Sequence, residues 1–266
     1  MKYSFKELAK MIDHALLQPT LTDQELEAGC REAVQYGTAS VCIKPYFVKR
    51  ASELLKGTGV IVGTVVGFPH GSSTTESKRY ETQLACKDGA SEIDMVINIG
   101  KALSGDWAYV EHEIKVVCEE AHQRGAKVKV ILENDYLDKG GAGLSGDDFK
   151  RHLCQLCERA GADWVKTSTG YGFIKQANGD YNYRGATEHD LRLMRESVSQ
   201  QVQIKAAGGV RNLDALIKTR DLGASRCGAS ATAALLEEYR RRAAEEQAGK
   251  PADPQRKNAA LGSGGY

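Results

Sequence analysis

A chain of 266 residues has room for one large domain or two small ones, and 41% hydrophobic with 27% charged residues is a globular composition that excludes a collagen-like or wholly disordered chain. Lys and Arg number 36 against 35 for Asp and Glu, so a net charge of +1 supplies no field to hold a nucleic-acid backbone or an anionic membrane. The longest apolar stretch, residues 60–68, is far short of a bilayer span, and the N-terminus lacks an apolar signal core, which predicts a cytoplasmic protein.

The first element is a helix over residues 4–11, opened by Ser4 and Glu7 in capping-box relation. Eight short β-type runs then alternate with helical patterns: residues 11–14, 40–43, 60–66, 92–97, 127–132, 164–167, 203–206 and 225–228. Helix starts are marked by Thr22 with Glu25, by Thr74-Thr75-Glu76, by Thr187 with Asp190 and by Asn212. Helix ends are marked by Gly37, Gly59, Gly89, Gly125, Gly161 and Gly223. Residues 138–147 read as a flexible loop. The seven cysteines are odd in number and scattered; Cys154 and Cys157 fall within the helical pattern of residues 149–159, where they pack rather than bind zinc. Eight successive βα units predict an α/β fold, a closed (β/α)8 TIM barrel with an extra N-terminal helix, as one domain over residues 1–248. Residues 249–266, rich in Gly, Pro and Ala, form a flexible tail. Neither G-x-G-x-x-G after a first strand nor G-x-x-x-x-G-K-[ST] is present, so no glycine fingerprint for a nucleotide appears.

In this architecture the C-terminal ends of the strands form the active face. Lys166 and Lys205 end the sixth and seventh apolar runs, which are neighbours in a barrel. Desolvation and a second ammonium nearby both disfavour a protonated amine, so one of the two is a nucleophile suited to Schiff-base formation. The bland reading is that each pairs with a carboxylate and only closes a layer of the barrel. Asp94, embedded in the fourth run, is the acid that relays a proton or, on the bland reading, an ion-pair partner. Glycines with donors follow the last two runs: Gly208, Gly209 and Arg211, then Gly228 and Ser230, which predicts a phosphate grip on a small phosphorylated substrate. The six histidines, His14, His70, His112, His122, His152 and His189, include no i, i+4 pair to hold a metal, and His112, His122 and His152 are expected at the surface. Asp13-His14 and Phe68-Pro69-His70-Gly71 can reach the pocket, for binding or packing as readily as for catalysis, and carry no assigned step. Cys42, near a strand end, reads as a buried thiol.

Seven blocks in order carry a resemblance: I-D-H at 12–14, V-C-I-K-P at 41–45, V-G-F-P-H-G at 66–71, E-I-D-M-V-I-N at 92–98, V-K-T-S-T-G at 165–170, K-A-A-G-G-V-R at 205–211 and G-A-S at 228–230. Together, over residues 12–236, the chain resembles the deoxyribose-phosphate aldolases, a class I aldolase family. The resemblance implies reversible cleavage of 2-deoxy-D-ribose 5-phosphate to D-glyceraldehyde 3-phosphate and acetaldehyde in deoxyribonucleotide catabolism, with no metal and no organic cofactor, and a homodimer. It places the Schiff base on Lys166, tuned by Lys205, with Asp94 as the strand-four acid. Gly170, Gly208, Gly209, Arg211, Gly228 and Ser230 would hold the phosphate.

The family's first block usually reads D-H-T-x-L-K-P, whereas Ala15 and Gln18 stand here in place of the threonine and the lysine, and Asn134 follows Glu133 where threonine is more usual. These departures bear on substrate preference. Some members also use a C-terminal tyrosine over the pocket, a role that would fall on Tyr266. The rival readings are a Schiff-base aldolase or transaldolase acting on another sugar phosphate and a silent phosphate-binding barrel; two juxtaposed lysines argue against the latter.

Overall fold

The computed structural model of the chain describes residues 1–175, 178–249 and Leu261. Eight parallel strands close a barrel: β1 (Ile12–Leu16), β2 (Ser40–Ile43), β3 (Ile61–Val66), β4 (Glu92–Val96), β5 (Lys127–Ile131), β6 (Trp164–Lys166), β9 (Gln203–Ala207) and β10 (Ala224–Ala229), with β10 returning to β1. The remaining strands, β7 (Ile174–Lys175) and β8 (Tyr181–Asn182), form a separate antiparallel pair after β6. Around the barrel run α2 (Asp23–Tyr36), α3 (Val48–Leu55), α4 (Thr75–Lys87), α6 (Trp107–His122), α7 (Gly146–Arg159), α8 (Glu188–Ser197), α9 (Leu213–Asp221) and α10 (Thr232–Gln247); α5 (Ile99–Leu103) is a short turn after β4, and α1 (Phe5–Ala9) is the helix before the first strand. The barrel and its extra helix are those the sequence predicts.

Local chemistry sets the ends. Ser4 and Thr22 accept from the N–H groups of Glu7 and Glu25, whose carboxylates return to the cap N–H groups, two complete capping boxes. Thr74, Thr187 and Asn212 cap α4, α8 and α9 through Ser77, Asp190 and Ala215. Gly37 ends α2 at φ 64°, a left-handed position that costs glycine nothing.

Within the strands side chains alternate. Val41 and Ile43, Ile93 and Met95, Val128 and Val130, Val165 and Ile204 are buried in the layer shared with Val48, Leu55, Val117 and Cys118 of the helices. The intervening positions face the barrel axis and carry the charges described below. A second tie binds the outer layer: Lys78 of α4 and Glu113 of α6, both wholly buried, meet at 2.6 Å, while Lys78 also reaches the Val96 carbonyl and Glu113 takes the Asn98 N–H. That ion pair anchors the end of β4 from outside the barrel.

The structure shifts several boundaries. β1 runs on to Leu16 and β10 to Ala229, and the other strand ends fall within a residue of expectation. The β7–β8 hairpin between β6 and α8 carried no signal, because it lies in a long loop without apolar alternation. His152 is half-buried rather than exposed: its ring lies 4.5 Å from that of Trp107, tilted by 60°, with Nε2 buried. His112 and His122 are exposed. Cys154 and Cys157 are buried free thiols on α7, as their spacing within a helix predicts. Residues 250–260 and 262–266, which include Tyr266 and most of the expected tail, lie outside the described residues. Among the described residues no helix is long and apolar enough to cross a membrane.

Candidate active site

Parallel pairing sets Lys166 of β6 in register with Lys205 of β9, so both side chains enter the barrel from adjacent strands. Asp94 of β4 arrives from across the axis. One of its oxygens, Oδ2, accepts from Lys166 Nζ at 2.7 Å and from Lys205 Nζ at 2.7 Å. The three residues singled out in the sequence are therefore one hydrogen-bonded unit, and all are buried.

Four further charges complete it; the sequence placed Asp13 within reach of the pocket without a step and assigned none of the other three to the site. Asp13 of β1 forms an ion pair with Lys205 Nζ at 2.6 Å and accepts from Ser40 Oγ at 2.7 Å. Lys129 of β5 lies 3.1 Å from Asp94 Oδ1 and 3.4 Å from Asp13, and bonds Glu92 of β4. Arg226 of β10 reaches Glu92 at 2.7 Å and Asp13 at 3.3 Å. The available signal was the spacing: a charged residue two positions from another in an apolar strand, as in Glu92-Ile93-Asp94, shares its face. Lys129, Lys166, Lys205 and Arg226 thus meet Asp13, Glu92 and Asp94, and charges balance in this buried set when one lysine is neutral.

The electrostatics select which one. Burial, aided by the Lys205 ammonium, lowers the pKa of Lys166, and Asp94 only partly opposes this. For Lys205 burial acts the same way, but Asp13 and Asp94 outweigh it and hold its pKa well above the usual value. Lys129 is likewise raised, to about 12, because Asp13 and Asp94 overcome its burial. Burial also works against the Asp94 carboxylate, yet Lys129, Lys166 and Lys205 together keep it well below the ordinary range. The pattern is an amine at Lys166 that gives up its proton more readily than an ordinary lysine, beside a Lys205 held more firmly as the cation.

Above the two lysines opens a cavity of about 290 Å³, and Gly170, Gly208, Gly209, Arg211, Gly228 and Ser230 all line it. Gly208 and Gly209 turn at φ 85° and 81°, and a Cβ on Gly208 would come within 2.9 Å of Gly185 Cα, so this approach of two loops requires glycine. Arg211 stands just before α9, and Ser230 just before α10, so two helix N-termini with a guanidinium and bare backbone offer donors suited to an anion. The far wall is apolar, formed by Ala15, Leu17, Cys42, Ala207 and Val210, with Tyr183 from beyond the hairpin. Among the described residues no group of three or more His, Cys, Asp or Glu is placed to hold a metal ion.

The neighbouring residues divide by where they point. Cys42 faces the cavity with Sγ 3.9 Å from Asp94, and burial pushes its thiol up to about 11. His14 turns out of the barrel to Thr232 Oγ1 at 2.7 Å, and burial lowers its pKa. Pro69 and His70 line a separate cavity of about 200 Å³ with Glu133, Tyr136 and Tyr171 rather than the lysine cavity. Of the three departures, Ala15 lines the lysine cavity, Gln18 lines an adjoining one, and Asn134 points away, its Nδ2 3.3 Å from Met194 Sδ.

Comparison with known proteins gives a consistent picture. The model of the DeoC/LacD family aldolases matches residues 8–241. A deoxyribose-phosphate aldolase of Rhodopirellula baltica is 48% identical over 264 residues, covering 99% of both chains. One from Aciduliprofundum boonei is 44% identical over 232 residues, covering 87% of this chain and 96% of its own. Among solved structures, a tetrameric deoxyribose phosphate aldolase from Aeropyrum pernix superposes with a TM-score of 0.77 at 30% identity, covering 89% of this chain and 92% of that one.

Proposed function

The chain belongs to the DeoC/LacD aldolase family, and from that premise we propose that it reversibly cleaves 2-deoxy-D-ribose 5-phosphate to D-glyceraldehyde 3-phosphate and acetaldehyde through a Schiff base on Lys166. The observation that carries this reading is the shared Asp94 oxygen, which sets a desolvated Lys166 against a charged Lys205 beneath a rim of donors suited to an anion.

Neutral Lys166 attacks the aldehyde carbon of the open-chain sugar, and loss of water leaves an iminium that draws electrons from the C2–C3 bond. Asp94 takes the C3 hydroxyl proton by way of a water held by Lys205, the C2–C3 bond breaks, and glyceraldehyde 3-phosphate departs. The enamine remaining on Lys166 is protonated at carbon, and water hydrolyses the resulting iminium to acetaldehyde and the free amine. Gly170, Gly208, Gly209, Arg211, Gly228 and Ser230 grip the phosphate, so that binding energy remote from the breaking bond orients it. The balanced charge of the buried set in the resting state favours the neutral nucleophile.

The proposal includes residues 1–248 as the single catalytic domain, a cytoplasmic location, a role in deoxyribonucleotide catabolism and assembly as a homodimer. The test is product formation from 2-deoxyribose 5-phosphate, with the donor identified in the reverse direction. Acetaldehyde accepted as donor, and activity lost in Lys166→Ala, supports the proposal; use of dihydroxyacetone or its phosphate in place of acetaldehyde would transfer it to the rival aldolase or transaldolase reading.

A further inference from the structure

One buried carboxylate near the cavity, Glu133, makes no ion pair with the charge network. Glu133 follows β5 in the left-handed region, at φ 58° and ψ 60°, a conformation uncommon for a residue with a side chain and one that collects at functional sites. Its side chain is almost wholly buried. Oε1 accepts the Thr169 N–H at 3.1 Å and Oε2 accepts the Thr169 hydroxyl, while Thr169 Oγ1 in turn accepts the Tyr171 N–H at 2.9 Å. Thr169 and Gly170 line the lysine cavity, whereas Glu133 lines the smaller cavity behind them with Tyr171. The loop that leaves Lys166 is therefore fastened from its outer side by this carboxylate.

We infer that Glu133 is a positioning residue for the aldol reaction, holding the Thr169–Gly170 turn in place at the substrate end of the cavity. The inference rests on the function proposed above for the kinetics but not for the geometry. Both Thr169 groups donate to the ionised carboxylate, so the two bonds are charge-assisted and strongest while Glu133 is deprotonated. A protonated acid keeps the contact only by reversing it, donating to Thr169 Oγ1, and both bonds then lose the assistance of the charge. Burial pushes Glu133 up to about 7, with Asp135 adding to the rise and Lys166 and the Thr169 hydrogen bonds opposing it. The other groups facing it are His70, Tyr136 and Tyr171 across the small cavity, and Asp135 is itself engaged by Arg184. The clasp is at full strength above about pH 7 and weakens as pH falls through it.

Glu133→Gln keeps the shape, removes the charge and fixes the neutral state. For 2-deoxyribose 5-phosphate it should raise KM about tenfold while kcat stays within about threefold. Comparing variant with wild type at each pH cancels ionisation of the substrate phosphate; the ratio of kcat/KM should approach one below about pH 7. Thr169→Val should reproduce the KM effect, and the double variant should add nothing to it. A substrate-free readout accompanies these: amide hydrogen exchange at residues 169–171, corrected for the intrinsic rate, should lose protection in the wild type below about pH 7 and show the weakened level at every pH in Glu133→Gln. A kcat loss with KM unchanged, or exchange at residues 169–171 that ignores both pH and the substitution, overturns the inference. If the wild type itself fails to cleave the sugar phosphate, the function proposal falls and the exchange result alone decides the role of Glu133.

Discussion

The substitution Lys205→Met tests the claim that one lysine tunes the other. Lys166 and Lys205 bond the same Asp94 oxygen at 2.7 Å each, so the two nitrogens can be no further apart than twice that length. Two unit charges about 5 Å apart repel by about 3 kcal/mol at an effective dielectric of about 20, equivalent to about 2 pK units. Loss of the Lys205 ammonium would remove that repulsion and leave Asp94 to act more fully on Lys166, and both changes raise the pKa of Lys166. A nucleophilic amine works above its pKa, so the acid limb of activity must move to higher pH. The assay is kcat/KM for 2-deoxyribose, which has no phosphate to titrate. We expect the midpoint of that limb to rise by about 1–2 units, with a corresponding loss at neutral pH. A midpoint that is unchanged or lower, in a variant that unfolds at the wild-type denaturant concentration, would refute the reasoning.

Other outcomes follow from the same geometry. Asp94→Asn should slow cleavage by about 10²- to 10⁴-fold, measured as single-turnover release of glyceraldehyde 3-phosphate; a smaller loss would take Asp94 out of the proton transfer. Arg211→Ala should raise KM for the phosphorylated sugar and leave the unphosphorylated sugar unaffected, and an equal loss on both would remove Arg211 from the phosphate grip. Lys78→Met leaves Glu113 buried without its partner and should cost about 3–5 kcal/mol in urea unfolding; a cost below about 1 kcal/mol would mean that water reaches the pair.

The barrel was legible because its punctuation is chemical: capping Thr and Asn side chains and left-handed glycines bracket nearly every unit. The antiparallel pair of Ile174–Lys175 with Tyr181–Asn182 was not, since four paired strand residues in a long loop leave no period to read. At the site, Lys166, Lys205 and Asp94 stood out as charges within apolar strands. Asp13, Glu92, Lys129 and Arg226 obey the same rule, but their importance depends on which strands face each other across the axis, and only closure of the barrel reveals that. Each lysine pairs with a carboxylate, as the bland reading holds, and that pairing raises the pKa of Lys205 while burial lowers that of Lys166. The glycine loops gathered at one cavity as expected, because they follow adjacent strands. Glu133 gave no sign, as its role depends on a hydrogen bond to a residue 36 positions away.

The most direct test of the account is borohydride trapping with acetaldehyde, followed by peptide mass mapping, on the wild type and on Lys166→Ala. The account predicts a single ethyl adduct on Lys166 that is absent from the variant. An adduct on Lys205 instead, or none on any lysine, would contradict it.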